Sequence, residues 1–237
     1  MMIDYDLDTP RYLAHGITVF QACLVNESEF KTVELIHEKI NPFDDALIMD
    51  FGCGVAGVPR YMLDINPTLK FLCVSNSKFQ TDYIRDLNHK SIAPINCDFS
   101  NVPLPNNSID FAMFNESIGY GDIYKSLLEC FRLLKSGGRV VIKDFLNKGD
   151  EELTQMFFDV WGYRIHLPEY MALAAQHAGF EIIEIRVINE ATNKKYGEFI
   201  KQDPYMRAKY TSYTPDMIAR AGDSELLSKS LIMVLQK

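Results

Sequence analysis

Apolar residues change their spacing from segment to segment along the chain, and each spacing predicts an element. In "TPRYLAHGITVFQACL" and "SEFKTVELIHEKI" they recur three and four positions apart, which predicts helices over 9–24 and 28–40. Ser28 and Glu29 supply a start for the second. A short unbroken run, "ALIM", then ends at Asp50, as a buried strand does. The runs "KFLCVS", "APINCDF", "IDFAMFN", "RVVIKDF", "FEIIEIRVI" and "SLIMVLQ" predict further strands. Between them "VPRYMLDIN", "SKFQTDYIRDLN", "DIYKSLLECFRLLKSGG" and "LPEYMALAAQHAG" return to helical spacing. Pro59 fits only the first turn of its helix. Ser77 is a cap candidate, and Gly137, Gly138 and Gly179 are helix stops. Residues 190–226 are polar with interspersed aromatics.

Strands that alternate with helices imply right-handed βαβ units and a mostly parallel sheet. The predicted fold class is α/β, a Rossmann-like three-layer sandwich with a seven-stranded sheet and added N-terminal helices. The long excursion before "SLIMVLQ" suits an antiparallel edge strand inserted at the end. We expect one domain over 1–237, with 1–40 as a helical cap and 190–226 as a lid-like excursion. Ligands of such sheets sit beyond the carboxyl ends of the strands. That rule places residues 50–57, 75–80, 98–99 and 115–120 along one edge of the molecule.

Composition narrows the functional classes. The chain has 237 residues, 47% of them apolar and 24% charged, as expected of a soluble globular protein. A net charge of −8 with no dense basic run disfavours a nucleic-acid substrate. The acidic opening "MMIDYDLDTP" is unlike a signal peptide, and no apolar run reaches the roughly 20 residues that span a bilayer. The five cysteines (Cys23, Cys53, Cys73, Cys97, Cys130) are scattered, so reduced thiols and a cytoplasmic location are expected. No His/Cys grouping has zinc spacing, so no metal is assigned. A small-molecule substrate is the expected partner, and homo-oligomer formation is left open.

The chemistry centres on "MDFGCGVAG", where Gly52, Gly54 and Gly57 read G-x-G-x-x-G between a strand and a helix. Alone this pattern is weak; in that context it points to a nucleotide-bearing ligand approached closely by backbone. A dinucleotide is disfavoured on three counts. The motif lies near residue 50 behind a helical leader, no large second domain remains for a hydride acceptor, and the last strand pairs differently.

Taken together, residues 40–237 resemble class I S-adenosylmethionine-dependent methyltransferases. "MDFGCGVAG" resembles their first motif, "NCDF" their third-strand motif, "LLECFRLLKSGGRVVIKDF" the segment after the active-site strand, and "HLPEYMALAAQHAGFEII" the late helix–strand pair. The resemblance implies S-adenosyl-L-methionine as cofactor. It assigns Asp50, Gly52, Cys53, Gly54 and Gly57 to the methionine end, and Asp98 and Phe99 to the adenine. The second strand departs from the family, ending in "CVSNSKFQ" without the usual ribose-binding acid. Ser75 and Gln80 there resemble the cyclopropane synthase-like and prenyl diphosphate C-methyltransferase-like branches, with Ser75 and Asn76 as neutral ribose ligands.

"FNESIGYGD" follows the fourth strand and should face the transferred methyl. It lacks the Asn-Pro-Pro-aromatic loop of enzymes that methylate nucleobase or glutamine amines, and resembles the "NES…Y" segment of the prenyl branch at Asn115, Glu116, Ser117 and Tyr120. Carbon methylation of an alkene creates a cation, which needs π faces or a carboxylate and then a base. Glu116 and Tyr120 are the assigned catalytic residues, and Asn115 joins the cofactor set. Tyr5, Tyr12, Phe20, Trp161, Tyr163, Tyr205, Tyr210 and Tyr213 are further aromatic candidates, against the plainer expectation that most are core. Arg207, Lys209 and Arg220 are the cations available for a diphosphate, and a solvated face is their simpler reading. O- or N-methylation of a small metabolite, or cofactor binding without turnover, are the competing functions.

Overall fold

A computed structural model describes residues 4–21, 23–25, 28–147, 149–189, 191–192, 194–209 and 229–237. In chain order the elements are α1 (Tyr5–Ala14), β1 (Cys23–Leu24), α2 (Glu29–Ile40), β2 (Leu47–Phe51), α3 (Gly57–Ile65), β3 (Lys70–Ser75), α4 (Lys78–Asp86), β4 (Ile92–Asn96) and β5 (Ile109–Asn115). A 3-10 turn at Ile118–Tyr120 leads into α5 (Ile123–Leu133), β6 (Leu134–Phe145), α6 (Glu151–Trp161), α7 (Pro168–Ala178) and β7 (Glu181–Asn189). The described chain closes with β8 (Ala191–Thr192), α8 (Lys194–Gln202), α9 (Pro204–Lys209) and β9 (Lys229–Gln236).

The main sheet has seven strands in the order β4-β3-β2-β5-β6-β9-β7. β9 runs antiparallel to both β6 and β7, and the other pairings are parallel. The last strand is therefore antiparallel, as expected, but it is interior; the edge belongs to β7. Its residues explain this. Six of its eight positions are buried and none of those six is charged, a pattern suited to a strand covered on both faces.

Strand alternation divides the core into two halves. Phe111 and Met113 of β5, with Ile232 and Val234 of β9, face α2, α3 and α4. Ala112 and Phe114, with Leu231, Met233 and Leu235, face α5 and α7. Helices thus cover both faces, giving three layers.

The N-terminal helix ends earlier than the 9–24 spacing predicts. It breaks at His15, and Gly16 follows at φ +69°, a left-handed conformation in which glycine carries no steric penalty. Residues 23–24 instead pair with 191–192 as a two-stranded ribbon. α6 is absent from the predicted elements, although Asp150 caps it and Leu153, Met156, Phe157 and Val160 form its buried stripe.

Candidate functional site

The crossover at β2/β5 is the switch point of this sheet, because the chain leaves β2 toward one edge and resumes at β5 on the other side. The glycine turn lies there. Gly52 and Gly54 have φ of +83° and +55°, and Ala56 caps α3 from left-handed backbone at +59°. A Cβ on Gly54 would lie 2.8 Å from the Phe20 ring, and one on Gly57 would lie 2.2 Å from the Thr18 carbonyl oxygen. The segment 18–20 therefore crosses directly over the turn, a contact invisible in the motif itself.

Asp50 is buried at the end of β2 and its carboxylate has no hydrogen bond or ion pair among the described residues. Desolvation pushes its pKa up to about 8. Asn115, at the end of β5, has a buried side-chain oxygen with no hydrogen-bond partner. Cys53 is buried, and its thiol is pushed up chiefly by burial and, to a smaller extent, by the neighbouring Asp50.

Ser75 and Gln80 come together as the sequence pairing suggests, but their bonds are internal. The Ser75 hydroxyl donates to Gln80 Oε1 at 2.6 Å, and Gln80 Nε2 donates to the Thr9 hydroxyl at 3.1 Å. Asn76 is exposed. Asp98 is also exposed and accepts from the Ser100 amide and hydroxyl at 2.7 and 2.6 Å. Phe99 is buried and packs edge-on against Phe51 and Phe114.

The β5–β6 end holds a second cluster. Register places Asn115 beside Lys143, so the next residue, Glu116, turns back across the ends of both strands. Its amide donates to the Lys143 carbonyl at 2.8 Å, and its carboxylate pairs with the Lys143 ammonium. Lys143 is fully buried and Glu116 nearly so. Glu116 holds φ +50°, unusual for a non-glycine residue. Beside it Asp144 is buried, accepts from the Phe145 amide at 2.7 Å and from the Tyr163 hydroxyl at 2.5 Å, and is pushed by desolvation to a pKa of about 7.

Aromatic rings line this cluster. Tyr120 packs edge-on against Tyr163 at 4.6 Å between centroids and against Tyr5 at 5.5 Å, with its hydroxyl bonded to that of Tyr5. Tyr120 itself is 38% exposed. Tyr5, Phe20, Trp161 and Tyr205 pack around Tyr12, Ile17 and Phe199. Tyr210, Tyr213 and Arg220 lie outside the described residues. Arg207 is exposed, and His15 bonds the Arg11 carbonyl and packs on Phe199. His166 is largely enclosed and stacks on Tyr170, and burial lowers its pKa.

Sequence reasoning missed Lys143 and Asp144. In "RVVIKDF" they read as the charged end of a strand, and only the register against β5 brings them to Glu116. A lysine followed by an aspartate inside an apolar run was the available signal.

Comparison with known proteins agrees with this geometry. Residues 49–142 match the family model described as "Methyltransferase domain". Residues 49–142 carry a methyltransferase domain, and the chain as a whole has the fold of class I methyltransferases. The [4+2]-cyclase SpnF superposes with TM-score 0.75 at 18% identity, covering 98% of this chain and 93% of that one. Geranyl diphosphate C-methyltransferase from Streptomyces coelicolor A3(2), in complex with Mg2+, geranyl diphosphate and S-adenosyl-L-homocysteine, gives 0.73 at 16%, covering 99% and 98%. "Ribosomal RNA-processing protein 8" of Arabidopsis thaliana is 26% identical over 149 residues, which is 62% of this chain and 46% of that protein. The chain spans less than half the length of the curated relatives it matches.

S-adenosyl-L-methionine is the methyl donor of methyltransferases with this fold, and the residues here fit it. The glycine turn offers close backbone approach at the switch point, and the unpartnered Asp50 carboxylate suits an ammonium group. The unpartnered Asn115 oxygen suits a further hydrogen-bond donor. Among the described residues no helix is long and apolar enough to cross a membrane, and no group of three or more His, Cys, Asp or Glu has the arrangement of a metal site.

Proposed function

We propose that this chain transfers the methyl group of S-adenosyl-L-methionine to carbon in a small apolar substrate of isoprenoid type. One observation carries the reading: a buried Glu116, bent into left-handed backbone and clamped by Lys143, adjoins Asp144 and a run of tyrosines beside the switch point. The cofactor supplies an electrophilic methyl on sulfonium. The chain's work is to hold the acceptor in line and exclude water.

Asp50, Gly52, Cys53, Gly54, Gly57 and Asn115 hold the methionine end in this account. Asp98 and Phe99 hold the adenine, with Ser75, Asn76 and Gln80 toward the ribose. The Asp98 role requires its carboxylate to exchange the Ser100 bonds for the adenine amine. Glu116 stabilises the cation that forms on the substrate, or takes the proton it loses, and the face of Tyr120 adds π stabilisation. Residues 1–40 serve as a cap, with 18–20 crossing the cofactor turn; most of the expected 190–226 lid lies outside the described residues. The similarity to geranyl diphosphate C-methyltransferase supports an isoprenoid acceptor.

A second reading has one specific observation behind it. SpnF, a [4+2]-cyclase, shares the fold over nearly the whole chain, so the fold also houses chemistry other than methyl transfer. Incubation with methyl-labelled cofactor and pooled metabolite extract separates these. Carbon-bound label in an apolar product, identified by mass spectrometry, is the expected result. Label on oxygen or nitrogen overturns the carbon assignment, and bound cofactor with no labelled product favours the second reading.

A further inference from the structure

The two edges of the main sheet are built differently. β4 is short, five residues, and carries Pro94, which has no amide hydrogen to offer a neighbouring strand. β7, at the opposite edge, has nine residues without proline, and among the described residues no strand pairs with its outer side. It also exposes a row of large apolar side chains: Ile183 at 47%, Ile185 at 42% and Val187 at 49%. Met233 and Leu231, opposite Ile185 and Val187 across β9, are buried on the α5/α7 side of the sheet. The apolar surface of that face thus runs out to an open edge, a feature that proteins ordinarily avoid.

The charges along β7 indicate what would cover it. Glu184 accepts from Lys39 at 2.7 Å and forms an ion pair with Arg186 at 3.2 Å, and Arg186 keeps about half of its side chain exposed, at 49%. The segment "EIIEIRVIN" complements itself when reversed about Ile185. In an antiparallel pairing on that centre, Glu184 lies opposite the partner's Arg186, and Arg186 opposite the partner's Glu184. Ile183 lies opposite the partner's Val187, and Ile185 opposite its own copy. Opposed residues of an antiparallel pair share a face, so the apolar row meets an apolar row and each acid meets a base. The irregularity between Ile182 and Glu184 falls at Ile183, two positions from the axis, and adds twist toward each end of the pairing.

We propose that this chain forms a two-fold homodimer in which β7 pairs antiparallel with β7 of a second copy, centred on Ile185. The occupant is a second copy because the strand supplies its own complement in charge and in shape, as a closed two-fold interface requires. The pairing makes one sheet continuous through both copies and leaves the switch points of the two sites free of the interface.

Sedimentation equilibrium on the full chain tests this. The wild type should show twice the 27.1 kDa chain mass. Ile185→Lys should raise the dimer dissociation constant by about 100-fold or more, because two ammonium groups would be forced together. Glu184→Arg should also weaken the dimer, and adding Arg186→Glu should restore it by recreating the opposed pairs. Circular dichroism establishes that each variant is folded; all three sites are at least partly exposed. A monomeric wild type overturns the proposal, even where β7 proves to bind a different protein. So does a dimer indifferent to Ile185→Lys, or a double charge swap that fails to restore association.

Discussion

Glu116 sits in backbone that costs a non-glycine residue on the order of 1–3 kcal/mol, held there by the bond from its amide to the Lys143 carbonyl and by the ion pair with the Lys143 ammonium. Removing only its charge should separate catalysis from binding. Glu116→Gln should lower kcat by roughly 10²–10⁴-fold with cofactor affinity little changed. A large loss of cofactor affinity would move Glu116 into the binding role. At the glycine turn, Gly54→Val should abolish cofactor binding in a folded protein. The structure gives a firmer cause than ligand bulk alone: the new side chain would meet Phe20, and φ +55° disfavours any β-branched residue. Isothermal titration of the folded variant is the check. Asp50 gives a pH signature. Its pKa rises on folding from 3.8 to about 8, so the native state keeps a proton that the unfolded state loses between those values. The pH-dependent cost of its burial is therefore absent below about 4 and grows as pH rises toward 8. In the ligand-free protein, Asp50→Asn should gain stability over wild type increasingly from pH 5 to 8. Urea titrations across that range measure the difference; a constant difference would contradict it.

At the scale of elements, β5 and β6 present a fully buried ion pair whose partners depend on each other. Lys143→Met should cost about 3 kcal/mol or more, because it removes the buried cation that faces the Glu116 carboxylate, and Glu116→Gln in the same chain should recover part of that loss. Additive losses in denaturant titrations would show that the two residues do not act together. α1 docks on α4 through one carboxylate: Asp6 accepts from the Ser77 hydroxyl at 2.6 Å and the Phe79 amide at 2.9 Å, while Thr9 receives Gln80. Asp6→Ala should speed amide exchange over residues 5–15 and leave exchange in the sheet unchanged. The strands of the main sheet were legible because each gathers apolar residues into a short run between turn signals, and α2, α4 and α7 because their end signals and stripes are local. The end of α1 was not, since a helical spacing continues past Gly16 although the backbone turns. Nor was the interior position of β9, because strand order is decided by packing between distant segments.

Across the whole molecule, the glycine turn and the acids at strand ends were readable in advance because the sheet's topology brings all carboxyl ends to one edge. The Lys143–Asp144 half of the cluster became readable only with the β5–β6 register, and the Phe20 contact only with the cap in place. Both depend on contacts far apart in sequence, Glu116 with Lys143 and Gly54 with Phe20, for which local spacing carries no signal. The net charge of −8 and the absence of a dense basic run fit a small acceptor better than a polyanion. All of this rests on one ligand at the β2 turn. Isothermal titration of the wild-type chain with S-adenosyl-L-methionine, its demethylated product and nicotinamide dinucleotides tests that claim most directly. Saturable one-site binding of the first two is expected, with no comparable heat from the dinucleotides. Dinucleotide binding of equal strength, or no binding of S-adenosyl-L-methionine, would contradict it.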